Sequence, residues 1–596
     1  MRYRRMLAAV LACLLLAGCG AQRTEPLAEE PAAEGAVIAY VPLDDRPDNV
    51  ERVAYLAESL GYTLAMPEAD LYSTKLDSQP ANENGTQYGD MAALCEWVLE
   101  QEAAGCDRYI LSMDQLLSGG LVNSRHTAET LTVVLPDGTE MTDLELMTAL
   151  LGELARDENN HVWLLDSVMR LAPTTGYAGF GIEEYNALRA YGAEGRPALA
   201  GQDLTAEAIQ ADYRLGGDGR EIPLADFGLT ETVVEEYLSA RGRKLALAER
   251  MMQTVQCGGY ENFRVLIGID DSSEEDSIQK NEIAYLRSLL REGDALLSGV
   301  DDLAFKAVTR LYLEEVGWEG ASVSVRYFGG TEDRPACDYD YLPLTEIMEE
   351  HADFFGLTLD ESTARPARTA LEILVLTQPA DETLKAACCK QLADALNECR
   401  SENRPVILID ASNGRYEASC YEKLTKETEL GYLLSYAGFL DMAIVTGTAL
   451  SHGVARYAFL QNGERTEAAE RAFLRTLADS VIKDFCYKHV VREDLLAYIR
   501  NDLGGDPNNF WQPAIDRAAV QERLEAGMAK ATADVVENLE RSNFVSELEP
   551  MDLRGWGGIE LTNYRFPWDR AFEIGMDIQL GAFTEPHREF LGFYYQ

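Results

Sequence analysis

Aspartate residues recur where the short apolar runs of this sequence end. The first case is YVPLDDRPDN (residues 40–49), in which two carboxylates and a guanidinium follow an apolar run. In parallel α/β folds, side chains at the carboxyl ends of strands meet at one edge of the sheet. We therefore expect the acids that follow such runs to converge on one crevice. These acids are Asp44, Asp45, Asp114, Asp166, Asp270, Asp271, Asp301, Asp302 and Asp410.

Paired carboxylates could carry out acid–base chemistry. Two carboxyl groups held about 5 to 10 Å apart in a partly dry pocket acquire different pKa values, so one donates a proton while the other stays anionic. Glycoside hydrolysis uses this arrangement. The alternative is structural, because aspartate is also a favoured N-cap and turn residue. The predicted catalytic residues are Asp44, Asp45, Asp114, Asp270 and Asp271.

Polar and glycine residues near these acids predict a surface that binds substrate. An arginine beside an acidic strand end could clamp a substrate or pair internally with an aspartate. Glycine permits a positive φ and close approach of the backbone. No cofactor and no metal ligand are assigned, although the same acids could coordinate Ca²⁺ or Mg²⁺. The predicted substrate-binding residues are Arg46, Asn49, Gly119, Gly120, Ser124, Arg125, Arg170, Asp302, Asp410 and Asn413, of which Asn413 could instead only form a turn before Gly414.

An α/β pattern is expected to position these residues. From residue 36 onward, short aliphatic runs alternate with amphipathic helical stretches, which indicates βαβ units and a parallel sheet. Residues 131–141 predict a hairpin around Asp137 and Gly138. The predicted strands are 37–43, 62–67, 109–114, 162–167, 265–270, 295–301, 323–328, 372–377 and 406–411.

The length of 596 residues predicts several domains, since single cores stop growing at roughly 250 to 300 residues. We expect an N-terminal α/β domain, barrel-like or doubly wound, over residues 36–365. A smaller α/β domain is predicted over 366–460, and helices followed by a strand-containing tail over 461–596. In the tail, Trp556, Tyr564 and Trp568 could stack on a sugar ring or anchor the terminus by packing.

Residues 1–19 predict export and lipid attachment. A basic start precedes an apolar stretch, Met6 to Leu16, that is too short to span a bilayer. The sequence LAGC, which ends at Cys19, is similar to the bacterial lipoprotein signal, in which that cysteine carries the lipid. Residues 20–35 are acidic and rich in Pro and Ala, as expected of a tether. We expect an extracytoplasmic protein attached to the membrane only by its lipid; an ordinary secretory signal or an uncleaved anchor is the alternative.

The net charge of the chain narrows the classes of molecule that it is expected to bind. The formal net charge of −49 disfavours binding to phosphate backbones, so no nucleic-acid partner is expected. Carbohydrate or another small polar ligand is the predicted partner.

Cysteine spacing shows no CxxC and no nearby His at ligand spacing, so neither a zinc site nor a disulfide scaffold is predicted. Cys388 and Cys389 are expected to be buried thiols on a helix.

Several segments resemble one uncharacterised bacterial family of unknown function. They are VPLDDRPDN, SMDQLLSGGLVNSR, LLSGVDDLAFKAVTRLY, DASNG with LLSYAGF and TGTALSHG, and RFPWDRAFEI. The family is marked by an IPLDxRPxN opening and a DxLxYGGLxxSR block, and the resemblance covers most of the chain after the tether. Residues 439–441 depart from its aromatic-Asn-Thr pattern. The resemblance supports the motif positions and implies no reaction, because the family has no established activity.

The predicted function is a glycosidase-like, carbohydrate-active hydrolase that uses paired carboxylates. One alternative is a cell-surface lipoprotein that binds a solute or glycan without chemistry, and another is a structural envelope protein whose acids only cap helices. Two carboxyl groups facing one pocket would favour the hydrolase. Arginine clamps and aromatic stacking without such a pair would favour the binding protein.

Overall fold

The computed structural model describes most of the chain from residue 35 onward. Cys19 and residues 20–34 of the predicted tether lie outside the described part. The described residues are 35–136, 138–335, 337, 339–360, 371–438, 441–542, 544–545, 554–556, 558–581 and 583–584.

Six parallel strands form the first sheet. They are nearly continuous apolar runs, as expected for strands covered on both faces. The first half of the chain, from β1 to β8, contains the strands β1 (Ala36–Val41), β2 (Tyr62–Ala65), β3 (Arg108–Ser112), β4 (Thr132–Val134), β5 (Glu140–Thr142), β6 (His161–Val168), β7 (Phe263–Ile269) and β8 (Ala295–Ser298). The residues that follow β8 are called the second half. The sheet order is β2-β1-β3-β6-β7-β8, and β4 pairs with β5 as the predicted antiparallel hairpin.

Five parallel strands form the second sheet, in the order β10-β9-β11-β12-β13. They are β9 (Ala321–Phe328), β10 (Leu357–Asp360), β11 (Leu371–Leu376), β12 (Val406–Asp410) and β13 (Ser435–Gly438). This order repeats the winding of the first sheet, in which the second strand flanks the first on one side and later strands add on the other. Strand pairing crosses the boundary predicted at residue 365, because β9 and β10 join β11.

Both sheets are open, so the doubly wound alternative of the predicted α/β fold is confirmed. Each of the nine predicted strands is present. The sequence analysis did not assign β10, which is short, or β13, which lies inside an apolar stretch (433–450). That stretch divides into β13 and the start of a long helix.

Helices cover the faces of both sheets. The α-helices are α1 (Glu51–Ser59), α2 (Met91–Ala103), α3 (Met113–Ser118), α4 (Leu121–Ser124), α5 (Asp143–Leu154), α6 (Ile182–Ala193), α7 (Ala206–Asp212), α8 (Glu231–Gly258), α9 (Lys280–Leu289), α10 (Leu303–Glu315), α11 (Leu344–Phe354), α12 (Lys385–Ser401), α13 (Ala418–Glu427), α14 (Met442–Asn462), α15 (Glu467–Ser480), α16 (Arg492–Ala497) and α17 (Arg517–Ser542). Two π-helical segments, Val481–Val491 and Tyr498–Asp502, flank α16.

Helices α10, α11 and α14 pack between the sheets. Trp163 and Leu165 of the first sheet and Ile373 and Ile409 of the second belong to the same buried cluster as these helices. Separate clusters cover the outer face of each sheet. The packing brings the start of α14 to the carboxyl edge of the first sheet.

Short antiparallel strands close the described chain: β14 (Phe544–Val545), β15 (Arg554–Trp556), β16 (Ile559–Arg565), β17 (Gly575–Leu580) and β18 (Phe583–Thr584). The pair β16 and β17 confirms the predicted strand-containing tail. Among the described residues, no helix combines the length and the apolar character that crossing a bilayer requires.

One cysteine expectation is wrong. Cys389 is joined to Cys420 by a disulfide between α12 and α13, while Cys388 is a buried free thiol as expected. The sequence spacing of 31 residues gave no signal, because two helices that cover the same face of the sheet bring the thiols together.

Candidate functional site

The carboxyl edge of the first sheet collects several of the predicted residues. Three arginines bind three aspartates there, and the group is called the arginine–aspartate site below. It is supplied by the segments that follow β1, α4, β6, β7 and β8. Its members are Arg46, Arg125, Arg170, Asp270, Asp271 and Asp301.

Arg46 links two strands that lie four positions apart in the sheet. Its Nε and Nη2 donate to Asp44 Oδ2 at 2.9 and 2.7 Å, and its Nη1 and Nη2 donate to Asp301 at 3.1 and 2.5 Å. The other oxygen of Asp44 accepts from the Arg46 backbone N–H at 3.0 Å and from Asn49 Nδ2 at 2.9 Å. Asp44 is fully buried. Asp44 and Asn49 therefore orient Arg46, and the planar guanidinium presents its second edge to Asp301.

Asp45 points to a different neighbour. Its Oδ1 accepts from the Trp568 indole N–H at 2.7 Å and from the Thr74 backbone N–H at 3.2 Å. The Arg46 guanidinium lies 5.0 Å from the centre of the Trp568 ring. Trp568 has a φ of 53°, an uncommon conformation for a bulky residue that functional sites often hold. The loop between β16 and β17 thus forms one wall of the site.

Two further ion pairs complete the arrangement. The guanidinium of Arg125 donates to Asp270 and, at 2.9 Å, to Thr174 Oγ1. Arg170 Nη1 donates to Asp271 Oδ2 at 3.0 Å. These contacts correspond to the internal arginine–aspartate pairs that the sequence left open as an alternative to substrate clamps.

Gly119 and Gly120 place Arg125 by turning the chain between α3 and α4. Their φ values of 70° and 130° require glycine. A Cβ at Gly119 would lie 2.6 Å from the Tyr88 ring, so side chains rather than an open ligand site surround it. The predicted conformation is confirmed, while a role in substrate binding stays a prediction.

Asp114 belongs to a separate buried cluster beneath the edge. Its carboxylate binds the Lys244 ammonium and accepts from Ser167 Oγ at 2.7 Å. Asp166 lies 3.8 Å from the same ammonium, and Ser124 Oγ lies 3.4 Å from it. Burial raises the pKa of Asp166 to about 7, although Lys244 opposes the shift. In this cluster, two buried carboxylates share the Lys244 ammonium.

The remaining predicted residues lie apart from the arginine–aspartate site. Asp302 turns into the core and binds Lys306 at 2.8 Å, and both side chains are fully buried. Asp410 is at the edge of the second sheet and accepts from Tyr421 Oη at 2.7 Å and Ser412 Oγ at 2.6 Å. Asn413 has a φ of 47° and precedes Gly414 in a turn, as the turn alternative predicted.

Exposure separates the acids of the site into two groups. The side chains of Asp271 and Asp301 are 24 % and 22 % exposed, whereas those of Asp44 and Asp270 are 0 % and 2 % exposed. Asp45 is also partly exposed. The buried acids orient arginines, and the partly exposed acids can meet a ligand.

The two partly exposed acids of the arginine–aspartate site have opposite pKa shifts. Burial raises the pKa of Asp271 above its ordinary value, and the charge of Asp270 adds to the shift. Burial would also raise the pKa of Asp301, but the Arg46 guanidinium outweighs it and holds that pKa below its ordinary value. The charge of Asp301 acts on Asp271, so the two belong to one electrostatic unit. Opposed shifts in neighbouring acids are the pattern that assigns an acid and a base.

Sequence reasoning overlooked several residues of this region. Asp301 was recognised as a strand-end acid, but Asp302 was selected instead, because adjacent acids in a loop cannot be assigned to solvent or core from sequence. Lys244 gives no signal, since it lies in the middle of the long helix α8. Trp568 was noted only as a stacking or packing residue, and its 523-residue separation from Asp45 hides their contact.

Comparison with known protein families identifies the family of this chain. The chain belongs to the family described as Protein of unknown function (DUF4127). That match covers residues 38–577, from β1 to β17, and so includes both sheets and the Trp568 loop. It confirms the resemblance to an uncharacterised family. No curated protein and no solved structure matches the chain.

Proposed function

We propose that this member of the DUF4127 family is an extracytoplasmic lipoprotein with glycosidase-like hydrolase activity, in which Asp271 and Asp301 are the carboxyl pair. The observation that carries the proposal is the opposed pKa shift of these two partly exposed, electrostatically linked acids. In such a pair one carboxyl group holds its proton more tightly than the other, which is the difference that an acid and a base require.

The roles follow from the environments. Asp271, whose pKa is raised, is the proposed proton donor to the leaving-group oxygen. Asp301, held ionised by Arg46, acts as the base or the nucleophile. Trp568 beside Arg46 offers an aromatic face on which a sugar ring could stack. Asp44 and Asp270, which bind Arg46 and Arg125, act as positioning residues.

Binding without chemistry is the second candidate, and one observation favours it. Both Asp271 and Asp301 already accept hydrogen bonds from an arginine, at 3.0 Å and at 2.5 and 3.1 Å. A carboxylate paired in this way recognises hydroxyl groups well but must leave its partner to act as a nucleophile. In that case the site would retain a polar ligand and release it unchanged.

The test is a hydrolysis screen of the purified full chain on chromogenic aryl glycosides and bacterial surface glycans. On an active substrate, Asp271→Asn and Asp301→Asn should each lower kcat by about 10² to 10⁴. Asp353→Asn, an exposed acid on α11, is the matched control and should change nothing. Binding of a glycan without turnover would select the second candidate, and full activity of both variants would exclude the proposed pair.

The pH profile gives an independent check. Activity needs Asp301 ionised and Asp271 protonated, so it should rise as the pH passes the lowered pKa of Asp301 and fall as it passes the raised pKa of Asp271. Asp271→Asn should abolish the alkaline fall. A profile with its alkaline limb unchanged in this variant would contradict the assignment of Asp271 as the acid.

The lipoprotein part of the proposal rests on the N-terminal sequence and is supported by the Cys389–Cys420 disulfide, since disulfides persist mainly in oxidising compartments. Mass spectrometry of the chain expressed in a bacterium should detect lipid on Cys19 and cleavage before it. Cys19→Ala should abolish both, whereas Cys257→Ala, at an exposed free cysteine, should not. An unmodified Cys19 in a membrane fraction would contradict lipidation.

A further inference from the structure

We propose that Cys337, Asp340 and Asp441 bind one divalent transition-metal ion of the zinc type at the start of α14. The thiol and one oxygen of each carboxylate lie within 4.8 Å of one another. The three residues come from the loop before α11 and from the residue before α14. The inference stands whether or not the proposed hydrolase function is correct.

The distances suit a small tetrahedral ion. Cys337 Sγ lies 3.1 Å from Asp340 Oδ2 and 3.4 Å from Asp441 Oδ1. Zinc bonds of about 2.0 to 2.3 Å in a tetrahedron place neighbouring ligand atoms roughly 3.3 to 3.8 Å apart. The two distances from the thiol are therefore within a few tenths of an ångström of this spacing, and the two carboxylate oxygens lie within 4.8 Å of each other.

Charge distinguishes this cluster from the arginine–aspartate site. There, Asp44, Asp270, Asp271 and Asp301 each bind an arginine. Within the described part of the chain, neither Asp340 nor Asp441 forms an ion pair with a lysine or arginine. A bound cation would supply the missing positive charge.

The start of α14 orients one ligand. The carboxylate of Asp340 accepts from the backbone N–H groups of Met442 and Ala443 at 2.8 and 3.2 Å. The backbone N–H of Tyr339 lies 3.4 Å from Cys337 Sγ and points to it as a donor. Hydrogen bonds of this kind fix ligand orientation around metals, because the outer partners leave one lone pair directed at the ion.

A buried hydroxyl provides a second, independent indication of a ligand. Ser272 is 2 % exposed, and its Oγ has no hydrogen-bond partner among the described residues. Ser272 lines the same pocket as Asp271, Asp340 and Asp441. Leaving a buried hydroxyl unpaired is unfavourable, so such groups usually signal a missing partner. A water on the fourth position of the metal would provide that partner.

The ligand set selects the kind of ion. Ca²⁺ and Mg²⁺ take oxygen ligands, whereas a cysteine thiolate favours zinc and other softer ions. Three protein ligands leave the fourth position of a zinc ion open, as in catalytic rather than structural sites. The open position would face the pocket that Ser272 and Asp271 line.

Metal binding to the purified full chain tests the proposal. After chelation and dialysis, titration with Zn²⁺ should show one tight site per chain, and Co²⁺ should give a thiolate-to-cobalt charge-transfer band. Cys337→Ser should abolish the band, and Cys337→Ser and Asp441→Asn should each weaken Zn²⁺ binding by at least about 100-fold, since even outer partners contribute 10- to 100-fold. Cys257→Ser, at an exposed free thiol, is the matched control and should bind normally.

Asp340 is excluded from the variants because it also caps α14, and circular dichroism of the other variants verifies their fold. The result that overturns the proposal is the absence of a tight Zn²⁺ site, a Co²⁺ complex without the thiolate band, or affinity unchanged in Cys337→Ser. Loss of hydrolysis in Asp271→Asn with Zn²⁺ binding intact would separate this site from the proposed carboxyl pair.

Discussion

The two sheets share one winding order but use their carboxyl edges differently. At the first edge, arginines reach across strands, and Asp271 and Asp301 stay partly exposed with opposite pKa shifts. At the second edge, Asp410 is buried and accepts from Tyr421 and Ser412, and His489 Nε2 lies 3.3 Å from its carboxylate. Burial opposes ionisation there, but these three neighbours, His489 first among them, hold the pKa of Asp410 below its ordinary value.

The difference shows what a strand-end aspartate indicates by itself. Both edges have acids at the position where parallel α/β folds bind ligands. Asp271 and Asp301 at the first edge combine access to solvent with opposite pKa shifts, whereas Asp410 at the second edge is buried. The position of an aspartate in the fold therefore indicates only a candidate site residue. Its exposure and its ionic partners are what distinguish a candidate catalytic acid from one with a structural role. The predictions below test whether the two edges differ in this way.

The largest expected effect concerns the buried layer beneath the first edge. Lys244→Met removes the cation shared by Asp114 and Asp166 and leaves buried carboxylates unpaired, so the free energy of unfolding should fall by about 3 to 5 kcal/mol. Urea denaturation measures the change. Lys426→Met removes an exposed lysine from the second half, whose pair with Glu422 is 3.7 Å long, and should cost under about 0.5 kcal/mol. Equal effects of the two variants would contradict the inference that the buried ion pairs of Lys244 stabilise the carboxyl edge of the first sheet.

The edges should also respond oppositely to pH. The pKa of Asp166 is raised from 3.8 to about 7, so between these values the folded protein keeps a proton that the unfolded chain has lost. Stability should therefore fall as pH rises from about 4 to 7, by up to about 4 kcal/mol. The pKa of Asp410 is lowered, so its contribution is present above its ordinary pKa and is lost as pH falls below it.

Urea midpoints measured from pH 3 to 8 check this prediction. Asp166→Asn should flatten the decline between about pH 4 and 7 and leave the acid limb unchanged. An unchanged slope in this variant would show that Asp166 is not the titrating group. Asn replaces the carboxyl group with a neutral one of the same size, so packing is preserved.

Much of the fold was predictable because strand signals are local. Each of the nine predicted runs forms a strand, and the 131–141 hairpin and the β16–β17 tail follow from turn residues and alternation. Strand β13 was not separable from α14, because both are apolar and buried and periodicity does not divide a short run. The sequence did not indicate that β9 and β10 join the second sheet, since pairing depends on packing of the intervening helices.

The site was predictable in position but not in partners. Asp45, Arg46, Arg125, Arg170 and Asp271 were all selected from their places after strands. Which acid each arginine binds depends on contacts such as Arg46 with Asp301, 255 residues apart. Ion-pair partners at such separations leave no trace in spacing or composition, and this is why buried supporting acids and exposed acids could not be told apart.

The disulfide gives an intermediate effect confined to the second half. Cys389→Ala with Cys420→Ala should lower the free energy of unfolding by about 2 to 4 kcal/mol, because the crosslink restricts the unfolded chain. Amide hydrogen exchange should show lost protection in β11 and β12 and unchanged protection in β1 and β7. Cys95→Ala, at a buried free thiol of the first half, is the control. Equal loss of protection in both sheets would show that the two halves unfold as one unit.

The smallest effect gives the most direct comparison of the edges. Tyr421→Phe removes the hydroxyl that donates to Asp410 at 2.7 Å, and should cost about 1.5 to 3 kcal/mol of stability, as for other hydrogen bonds to charged groups. Trp568→Phe removes the indole N–H that donates to Asp45, also at 2.7 Å. Tyr421→Phe should leave turnover or ligand binding unchanged, whereas Trp568→Phe should reduce it, because the proposed ligand site lies at the first edge. If Tyr421→Phe reduced turnover or ligand binding as much as Trp568→Phe at equal stability, the second edge would have to take part in the site. Solvent exposure would then no longer distinguish candidate catalytic acids from structural acids.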